Sequence, residues 1–470
     1  MTLKLVENFI KQGRMEKFCK DVIEKCSLDY ENEQLKDMTN ALSQLIDRFA
    51  ASVQGQDRCN IAKCGSMTEQ TRITTTGIEY DYLAVVDGPT YFGRPCEHCK
   101  LEGCVQVFRD SGKKENQNSE EVKADFHKRL IDTIKHNCSK NNCTGCPYCT
   151  VETRSGTLRV VLTKGFDISV SDTKLKFHWM PRTTDFEGMR MCNIEEEKLY
   201  ECKIIHYRVS DKRLYYINPS ERENDDEMFS PENPDKEGFP LKSDRVPIEA
   251  GLEIEVDFHP VLQLDPGIQR ANFNFEYPQK CFLFPKSAKD KCGGWKISFC
   301  DAELQALQGT SMTHRHAYMV LKFVLEQLKG GVTGYISSYY LKTGILHHIN
   351  ECGKAHSVSQ CVIDVLEYLS RCFEAQNLPN FVSDRNIIET NEHFSIPQWP
   401  TFAKCHCESL AYVLQVVSET LRADEHGDIE TLVNRFRTIR DFLSDIAAVE
   451  YNDVEKFKFE FEERMCSVKK

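Results

Sequence analysis

Hydrophobic residues recur every three or four positions towards both ends of the chain. After residue 32, apolar side chains follow the spacing of an amphipathic helix, at Leu35, Met38, Leu42, Leu45, Ile46 and Phe49. Residues 1–60 are therefore predicted to be helical, with a long helix in their second half. The same spacing returns in A-Y-M-V-L-K-F-V-L-E-Q-L-K, S-Q-C-V-I-D-V-L-E-Y-L-S-R-C-F and D-I-E-T-L-V-N-R-F-R-T-I-R-D-F-L-S-D-I. These three segments predict helices after about residue 295.

Between these regions the apolar positions alternate, which is typical of strands. Strands are predicted in I-E-Y-D-Y-L-A-V-V, T-L-R-V-V-L-T, K-I-I-H-Y-R-V, R-L-Y-Y-I and L-E-I-E-V-D-F-H-P-V-L-Q-L. Polar runs at residues 111–121 and 218–238 are predicted to be loops. The fold class is therefore α+β: a mixed half led by a long helix, followed by a helical half.

Composition narrows the class of protein. The 470 residues are 40% hydrophobic and 28% charged, as in an ordinary soluble globular protein. The net charge of -12 argues against a broadly basic surface but leaves room for a local basic face. No apolar run approaches the roughly 18 residues of a membrane span, and the first residues do not resemble a signal peptide. We therefore expect a soluble, cytoplasmic protein without membrane contact, whose 22 cysteines are thiols or metal ligands rather than disulfides.

Two acids occupy alternate positions of one predicted strand. Glu79 and Asp81 would project from the same face, because side chains two apart in a strand share a face. Paired carboxylates suit hard divalent cations, and a third acid would complete a two-metal site. Asp257 lies in another strand-like run, but the pattern alone does not select it. Its alternatives are Glu253, Glu255, Asp167 and Asp172.

Gly65 and Ser66 precede the acidic strand. A glycine lets the backbone approach a ligand closely, and backbone N–H groups with a hydroxyl can surround a triphosphate. A Gly-Ser turn followed by a strand with two acids is the order expected of a nucleotidyltransferase site. Either feature alone would indicate only a turn or a solvated strand face.

These residues resemble the active-site opening of the cyclic GMP-AMP synthase and Mab-21 family, in the runs G-S-M-T-E-Q-T-R-I and I-E-Y-D-Y-L. I-E-V-D-F-H-P-V-L-Q-L is similar to the strand that carries the third acid of that family, and this resemblance selects Asp257. Further similar motifs follow in the family's order: G-W-K-I-S-F-C-D-A-E-L-Q-A-L, L-K-F-V-L-E-Q-L-K, S-S-Y-Y-L-K-T-G-I-L-H-H and V-I-D-V-L-E-Y-L-S-R-C-F-E-A-Q-N-L-P-N-F. The resemblance covers residues from about 35 to about 390.

The resemblance implies a fold of the polymerase-β-like nucleotidyltransferase type: a mixed sheet with a long N-terminal spine helix, followed by a helical C-terminal domain. Residues 1–270 would form the nucleotidyltransferase core. That core would contain a cysteine-rich insertion at about 90–150 and a loop-rich insertion at about 165–250. Residues 271–470 would form the helical domain that completes the nucleotide and ligand sites.

The implied activity is synthesis of a cyclic dinucleotide second messenger from two NTPs, expected to be ATP and GTP, in innate immune signalling. Glu79, Asp81 and Asp257 would be catalytic and bind two Mg²⁺, with Mn²⁺ as an alternative. Asp257 would lie nearest the attacking ribose hydroxyl. Nucleotide contacts are implied for Gly65, Ser66, Lys296, Ser298, Lys329, Ser338, Tyr339 and Lys342. Alternatives are a catalytically inactive Mab-21-like binding protein and a template-independent synthase of linear oligonucleotides.

Two departures from the family bear on product and activator. Lys296 stands where the best-known member has arginine, which leaves the bases and the linkage of the product open. The vertebrate DNA sensor of the family has a cysteine-containing zinc thumb between the W-K-I-S-F and L-E-Q-L-K segments, and this chain lacks it. His314 and His316 lie between the same two segments here and are expected at the surface. Members without the thumb resemble sensors of double-stranded RNA, so RNA is favoured over DNA as activator. A homodimer on the ligand is a further expectation.

Cysteines crowd the segment after the acidic strand. Cys96 with Cys99, and Cys146 with Cys149, form two C-x-x-C pairs with the spacing of a tetrahedral zinc site. A structural Zn²⁺ is therefore expected, with free thiols as the alternative. Spare candidate ligands are Cys104, Cys138, Cys143 and His136.

Overall fold

A computed structural model of the chain was analysed. It describes residues 2–54, 60–73, 78–86, 91–95, 104–109, 116–138, 148–160, 174–181, 205–208, 213–216, 252–263, 281–285, 294–329, 336–352, 356–383, 386–388, 399–423, 428–447 and 456–462. The predicted loop at 218–238 lies outside these residues, as does most of the expected loop-rich insertion.

Helices lie at both ends of the described chain. They are α1 (Thr2–Cys26), α2 (Glu33–Gln54), α3 (Gly65–Thr68), α4 (Ser119–Cys138), α5 (Cys300–Gln308), α6 (Met312–Leu328), α7 (Ser338–Glu351), α8 (Val358–Glu374), α9 (Trp399–Ala423), α10 (Ile429–Ala447) and α11 (456–462). The three helices predicted for the C-terminal half are confirmed as α6, α8 and α10. None of the helices in the described ranges is long and apolar enough to cross a membrane.

The strands form one large mixed sheet and one separate pair. They are β1 (Asn60–Cys64), β2 (Ile78–Val85), β3 (Tyr91–Pro95), β4 (Cys104–Arg109), β5 (Asn116–Gln117), β6 (Thr150–Glu152), β7 (Gly156–Val160), β8 (Lys174–Pro181), β9 (Ile205–Arg208), β10 (Arg213–Tyr216), β11 (Leu252–Gln263), β12 (Phe282–Pro285) and β13 (Trp295–Ser298). The main path runs β3-β4-β13-β12-β11-β8-β7-β6, and β2 joins it through β11. All five predicted strands are confirmed, as β2, β7, β9, β10 and β11.

Strand β11 organises the sheet because it pairs with three partners. It is parallel to β2 and antiparallel to β8 and β12. The remaining described pairs are antiparallel. The α+β class is therefore confirmed, with a mixed sheet and a helical C-terminal region.

Helix α2 packs its apolar stripe against the sheet. The six apolar positions predicted on this helix are all buried in one core with the apolar faces of β2 and β11. Tyr80 and Tyr82 of β2 belong to this core, and their hydroxyls bond Thr39 (2.6 Å) and Ser43 (3.2 Å) of α2. The helix therefore fixes which face of β2 is buried, and the opposite face carries the acids.

The N-terminal region forms two helices, α1 and α2. Asn32 caps α2, since its Oδ1 accepts from the backbone N–H groups of Gln34 (2.9 Å) and Leu35 (3.2 Å). Asn118 acts similarly for α4, accepting from Glu120 N–H at 2.9 Å, so the end of the loop predicted at 111–121 starts a helix instead. These local side-chain caps set both boundaries.

The helical half has its own core. Phe18, Cys19 and Val22 of α1 are buried there with residues of α6 to α10. Helix α1 thus belongs to the helical core while α2 belongs to the sheet core. Residues 27–32 connect the two helices, and thereby the helical core to the sheet core. Within this connection, the Tyr30 hydroxyl accepts from the Arg72 backbone N–H at 3.0 Å.

Candidate active site

The sheet face opposite α2 brings acids of two neighbouring strands together. In the parallel pair of β2 and β11, Asp81 is opposite Asp257 and Glu79 is opposite Glu255. Alternation places all four on the face that α2 leaves uncovered. Two strands that are distant in sequence therefore supply one acidic cluster.

The register distinguishes among the candidates for the third acid. Asp257 is the acid of β11 directly opposite Asp81, whereas Glu255 lies 3.6 Å from Lys176 Nζ of β8. Glu253 precedes the residues of β11 that pair with β2, which begin at Ile254. Asp167 and Asp172 lie outside the described residues. The geometry thus groups Asp257 with Asp81 and Glu79.

The pKa of Asp81 is raised within this cluster. Burial, followed by the charges of Asp257 and Glu79, raises its pKa from 3.8 to about 7. Lys342 opposes the shift from the helical half. Charged oxygens are held close together here, an arrangement that a shared cation would stabilise.

Gly65 lies directly against Asp81. Its φ of +76° falls in the left-handed region that favours glycine. A Cβ at this position would lie 1.7 Å from Asp81 Oδ2. The backbone of residue 65 can therefore lie this close to the Asp81 carboxylate only because glycine has no side chain.

Arg72 connects the turn to the acidic strand. Its Nη1 lies 3.4 Å from Ser66 Oγ and 3.3 Å from Glu79 Oε2. This arginine lies in the motif G-S-M-T-E-Q-T-R-I, and no role was predicted for it. Its position, six residues after Ser66 and seven before Glu79, was the available signal. Arg72 orients Glu79 and supplies positive charge beside Ser66.

Lys342 of α7 lies between two buried glutamates. Its Nζ is 2.7 Å from Glu69 Oε1 and 3.3 Å from Glu303 Oε2. Burial disfavours its charge, but both glutamates hold its pKa well above the usual value. Lys342 was expected to contact phosphate, and in this structure its ammonium group is paired with protein carboxylates instead. The glutamates were not predicted from the sequence.

Tyr339 is fixed by its hydroxyl group. The hydroxyl donates to Glu303 Oε1 at 2.8 Å and accepts from Asn380 Nδ2 at 2.8 Å. The side chain is half-buried, one helical turn from Lys342 on α7. Its ring is therefore held at the same place as the Lys342 network, with its polar end already satisfied.

A second buried lysine supports the segment after α3. Lys322 of α6 donates from Nζ to Thr71 O (3.1 Å) and Thr71 Oγ1 (3.2 Å), with the Tyr318 ring centroid 4.3 Å away. Burial lowers its pKa to about 7, although Glu69 opposes that shift. Since Thr71 directly precedes Arg72, this contact anchors the acidic site to the helical half.

The other residues predicted to contact nucleotides differ in their burial. Lys296 is exposed on β13, and Ser298 is half-buried at the end of that strand. Ser338 is exposed at the start of α7, where its carbonyl accepts from the Tyr318 hydroxyl at 3.3 Å. The Lys329 side chain is 63% exposed, 3.7 Å from Glu326.

The expected zinc cysteines are mostly outside the described residues. Cys96, Cys99 and Cys146 are not described. Cys149 is buried and takes part in a disulfide, rather than presenting the thiol or metal ligand that the sequence predicted. Its sulfur is therefore committed to another cysteine in this structure.

Comparison of the sequence with protein-family models and with curated proteins finds no match. The functional proposal therefore depends on the residues of the site and on their geometry.

Proposed function

We propose that the chain is a nucleotidyltransferase that joins two NTPs, ATP and GTP, into a cyclic dinucleotide, and that it belongs to the cyclic GMP-AMP synthase and Mab-21 family. The observation that carries the proposal is the pairing of Asp81 with Asp257 on parallel strands, with Glu79 on the same face and Gly65 against Asp81. A structural role offers no gain from clustering three acids, because they repel one another.

The acids fit a pair of divalent cations. Carboxylate oxygens are the ligands that Mg²⁺ and Mn²⁺ prefer, and the raised pKa of Asp81 reflects burial and carboxylate repulsion that bound cations would offset. Glu79, Asp81 and Asp257 would hold the ions. When bound, the two ions would neutralise charge on the transferring phosphoryl group and on the leaving group. The ion pair with Arg72 would orient Glu79.

The protein's own residues would do the positioning. Gly65 and Ser66 would contact the donor triphosphate, with Arg72 adding positive charge beside Ser66. Asp257 would lie nearest the attacking ribose hydroxyl and favour its deprotonated form. The contribution to rate would be orientation and charge neutralisation of an in-line displacement.

The helical half would bind the bases and the remaining phosphates. Tyr339 would stack on a base, since its hydroxyl is already bonded and its ring is held in place. Ser338 and Lys329 would reach phosphate groups, and Lys296 with Ser298 would contact the acceptor base. Lys342 would act on the triphosphate through its field, because its Nζ is paired with Glu69 and Glu303.

We further propose activation by nucleic acid, with double-stranded RNA preferred over DNA, in the cytoplasm. Binding to a phosphate backbone would be independent of sequence and sensitive to salt. Of the basic residues on the first helices, Lys17, Lys20 and Lys36 already lie 2.8–3.6 Å from acids. An activating ligand would therefore compete with these surface ion pairs.

The test is a radiolabelled NTP assay with Mg²⁺, with and without double-stranded RNA or DNA. A phosphatase-resistant product is expected that requires a nucleic acid, and chromatography would separate a cyclic product from linear oligonucleotides. Glu79→Ala/Asp81→Ala should abolish it. Glu255→Ala is the matched control, because Glu255 lies on the same sheet face but pairs with Lys176.

Product from the double variant at the unaltered rate would contradict the assignment of the acids. Absence of product from the unaltered chain with every nucleic acid tested would contradict the proposed activation. A linear product that requires the same nucleic acid and the same acids would show that the chain synthesises linear oligonucleotides rather than a cyclic dinucleotide.

A further inference from the structure

A cluster of histidines and cysteines lies within the helical half, apart from the acidic site. His314, His348, Cys352 and Cys361 each place one ligand atom within 4.8 Å of the others. They come from the first turn of α6, the last turn of α7, the residue after α7, and the first turn of α8. We propose that these four residues bind a structural Zn²⁺ that holds the three helices together.

The two sulfur atoms have the separation that zinc requires. Cys352 Sγ and Cys361 Sγ are 3.9 Å apart. Two thiolates bonded to one tetrahedral zinc at about 2.3 Å would lie about 3.8 Å apart. A disulfide needs about 2.0 Å, and neither cysteine forms one in this structure. The spacing therefore matches a shared metal ion better than a covalent bond.

The histidines present ring nitrogens that lack other partners. Nε2 of His314 and Nε2 of His348 are buried without a hydrogen-bond partner among the described residues. The His348 residue is only 9% exposed. A buried polar atom without a partner is destabilising, so each nitrogen would gain from a metal bond. This observation is independent of the sulfur spacing.

The surroundings of His314 orient it for such a bond. Its Nδ1 lies 3.0 Å from Thr310 Oγ1 and 3.0 Å from Ser311 Oγ. If Nδ1–H donates to one of these hydroxyl oxygens, Nε2 carries the lone pair. Metal-binding histidines usually fix their second nitrogen in this way. His314 and His316 were predicted at the surface, whereas both are half-buried.

The donor set suits zinc and a closed, structural site. Two thiolates balance the charge of Zn²⁺, and two neutral imidazoles complete four-coordination. Cys361 is fully buried, which favours an electrically neutral complex. An ion here would fix the C-terminal end of α7, the helix that carries Tyr339 and Lys342. This role does not depend on the reaction proposed above.

A second group of candidate ligands overlaps the first. His348, His356 and Asp364 also lie within ligand distance of one another. This group contains no sulfur, His356 is exposed, and Asp364 Oδ1 already accepts from Gln360 Nε2 at 2.6 Å. Both groups would use His348, and the two thiolates favour the first as a zinc site.

The test is the zinc content per chain of the purified full-length protein, measured by elemental mass spectrometry. Cys352→Ser/Cys361→Ser should lower the content by one zinc per chain, whatever other cysteines bind. Two controls should keep the unaltered content: Cys372→Ser, a buried free cysteine of α8, and His356→Asn, from the overlapping group. Unchanged zinc in the double variant would overturn the proposal, and loss in His356→Asn alone would transfer the site to the second group.

A second measurement avoids substitutions that could prevent folding. Alkylation of Cys352 in the unaltered protein should be slow as purified and should become much faster after a strong zinc chelator is added. Cys405 of α9, which belongs to neither proposed metal site, serves as an internal reference whose labelling the chelator should not change. Equal labelling of Cys352 with and without the chelator would overturn the proposal. So would peptide masses that show a Cys352–Cys361 disulfide in protein purified under reducing conditions.

Discussion

Replacement of Asp81 with asparagine should stabilise the folded chain at neutral and alkaline pH in the absence of divalent cations. Asparagine has nearly the shape of aspartate but no charge, so it removes the repulsion from Asp257 and Glu79. Burial and these two acids raise the Asp81 pKa from 3.8 to about 7. One pKa unit corresponds to about 1.4 kcal/mol, so ionised Asp81 costs the folded state up to about 4 kcal/mol.

The sign of the pH dependence follows from the direction of the shift. As pH falls through 7, the folded chain takes up a proton at Asp81, while the unfolded chain does so only near 3.8. The unaltered protein therefore regains stability on acidification, by about 3 kcal/mol between pH 8 and pH 5. The asparagine variant has no such proton. Its advantage over the unaltered protein should shrink by about that amount over the same interval.

Urea unfolding of both proteins at pH 8 and pH 5, without divalent cations, would measure the two differences. Asp132→Asn, a change at an exposed acid of α4, should give a difference near zero at both pH values. Mg²⁺ at pH 8 should raise the free energy of unfolding of the unaltered protein and narrow its gap to Asp81→Asn. A variant that is less stable at pH 8, or a gap independent of pH, would refute the reasoning.

Three further substitutions test the surroundings of the acids by urea unfolding. Gly65→Ala should lower the free energy of unfolding by more than the roughly 1–2 kcal/mol that a left-handed backbone costs alanine, because its Cβ would also overlap the Asp81 carboxylate. Gly13→Ala in α1 is the control. Its Cβ would meet no atom within 4 Å, so it should not destabilise the protein. Lys342→Met should cost about 3–5 kcal/mol by leaving two buried glutamates unpaired, and a neutral result would contradict that pairing. Tyr339→Phe should cost about 1.5–3 kcal/mol through the lost bond to Glu303, and an equally stable variant would count against it.

Local patterns predicted much of the fold. The apolar stripe of α2 is buried as its spacing indicated, because a helix repeats every 3.6 residues whatever it packs against. Alternation in β2 likewise set Glu79 and Asp81 on one face, opposite Tyr80 and Tyr82. The predicted long helix begins at Glu33, because the side chain of Asn32 caps it there.

The sequence by itself determined which side chains of each helix and strand share a face, because backbone periodicity is a local property. Only the tertiary structure decided which acid of β11 meets Asp81, since the register depends on how β2, β8 and β11 pair. It also decided that Lys342 meets Glu69, and that Cys361 of α8 approaches His314 of α6 and the end of α7. Such contacts join residues far apart in the chain, and they form only when the apolar cores fix the relative positions of the helices and the sheet.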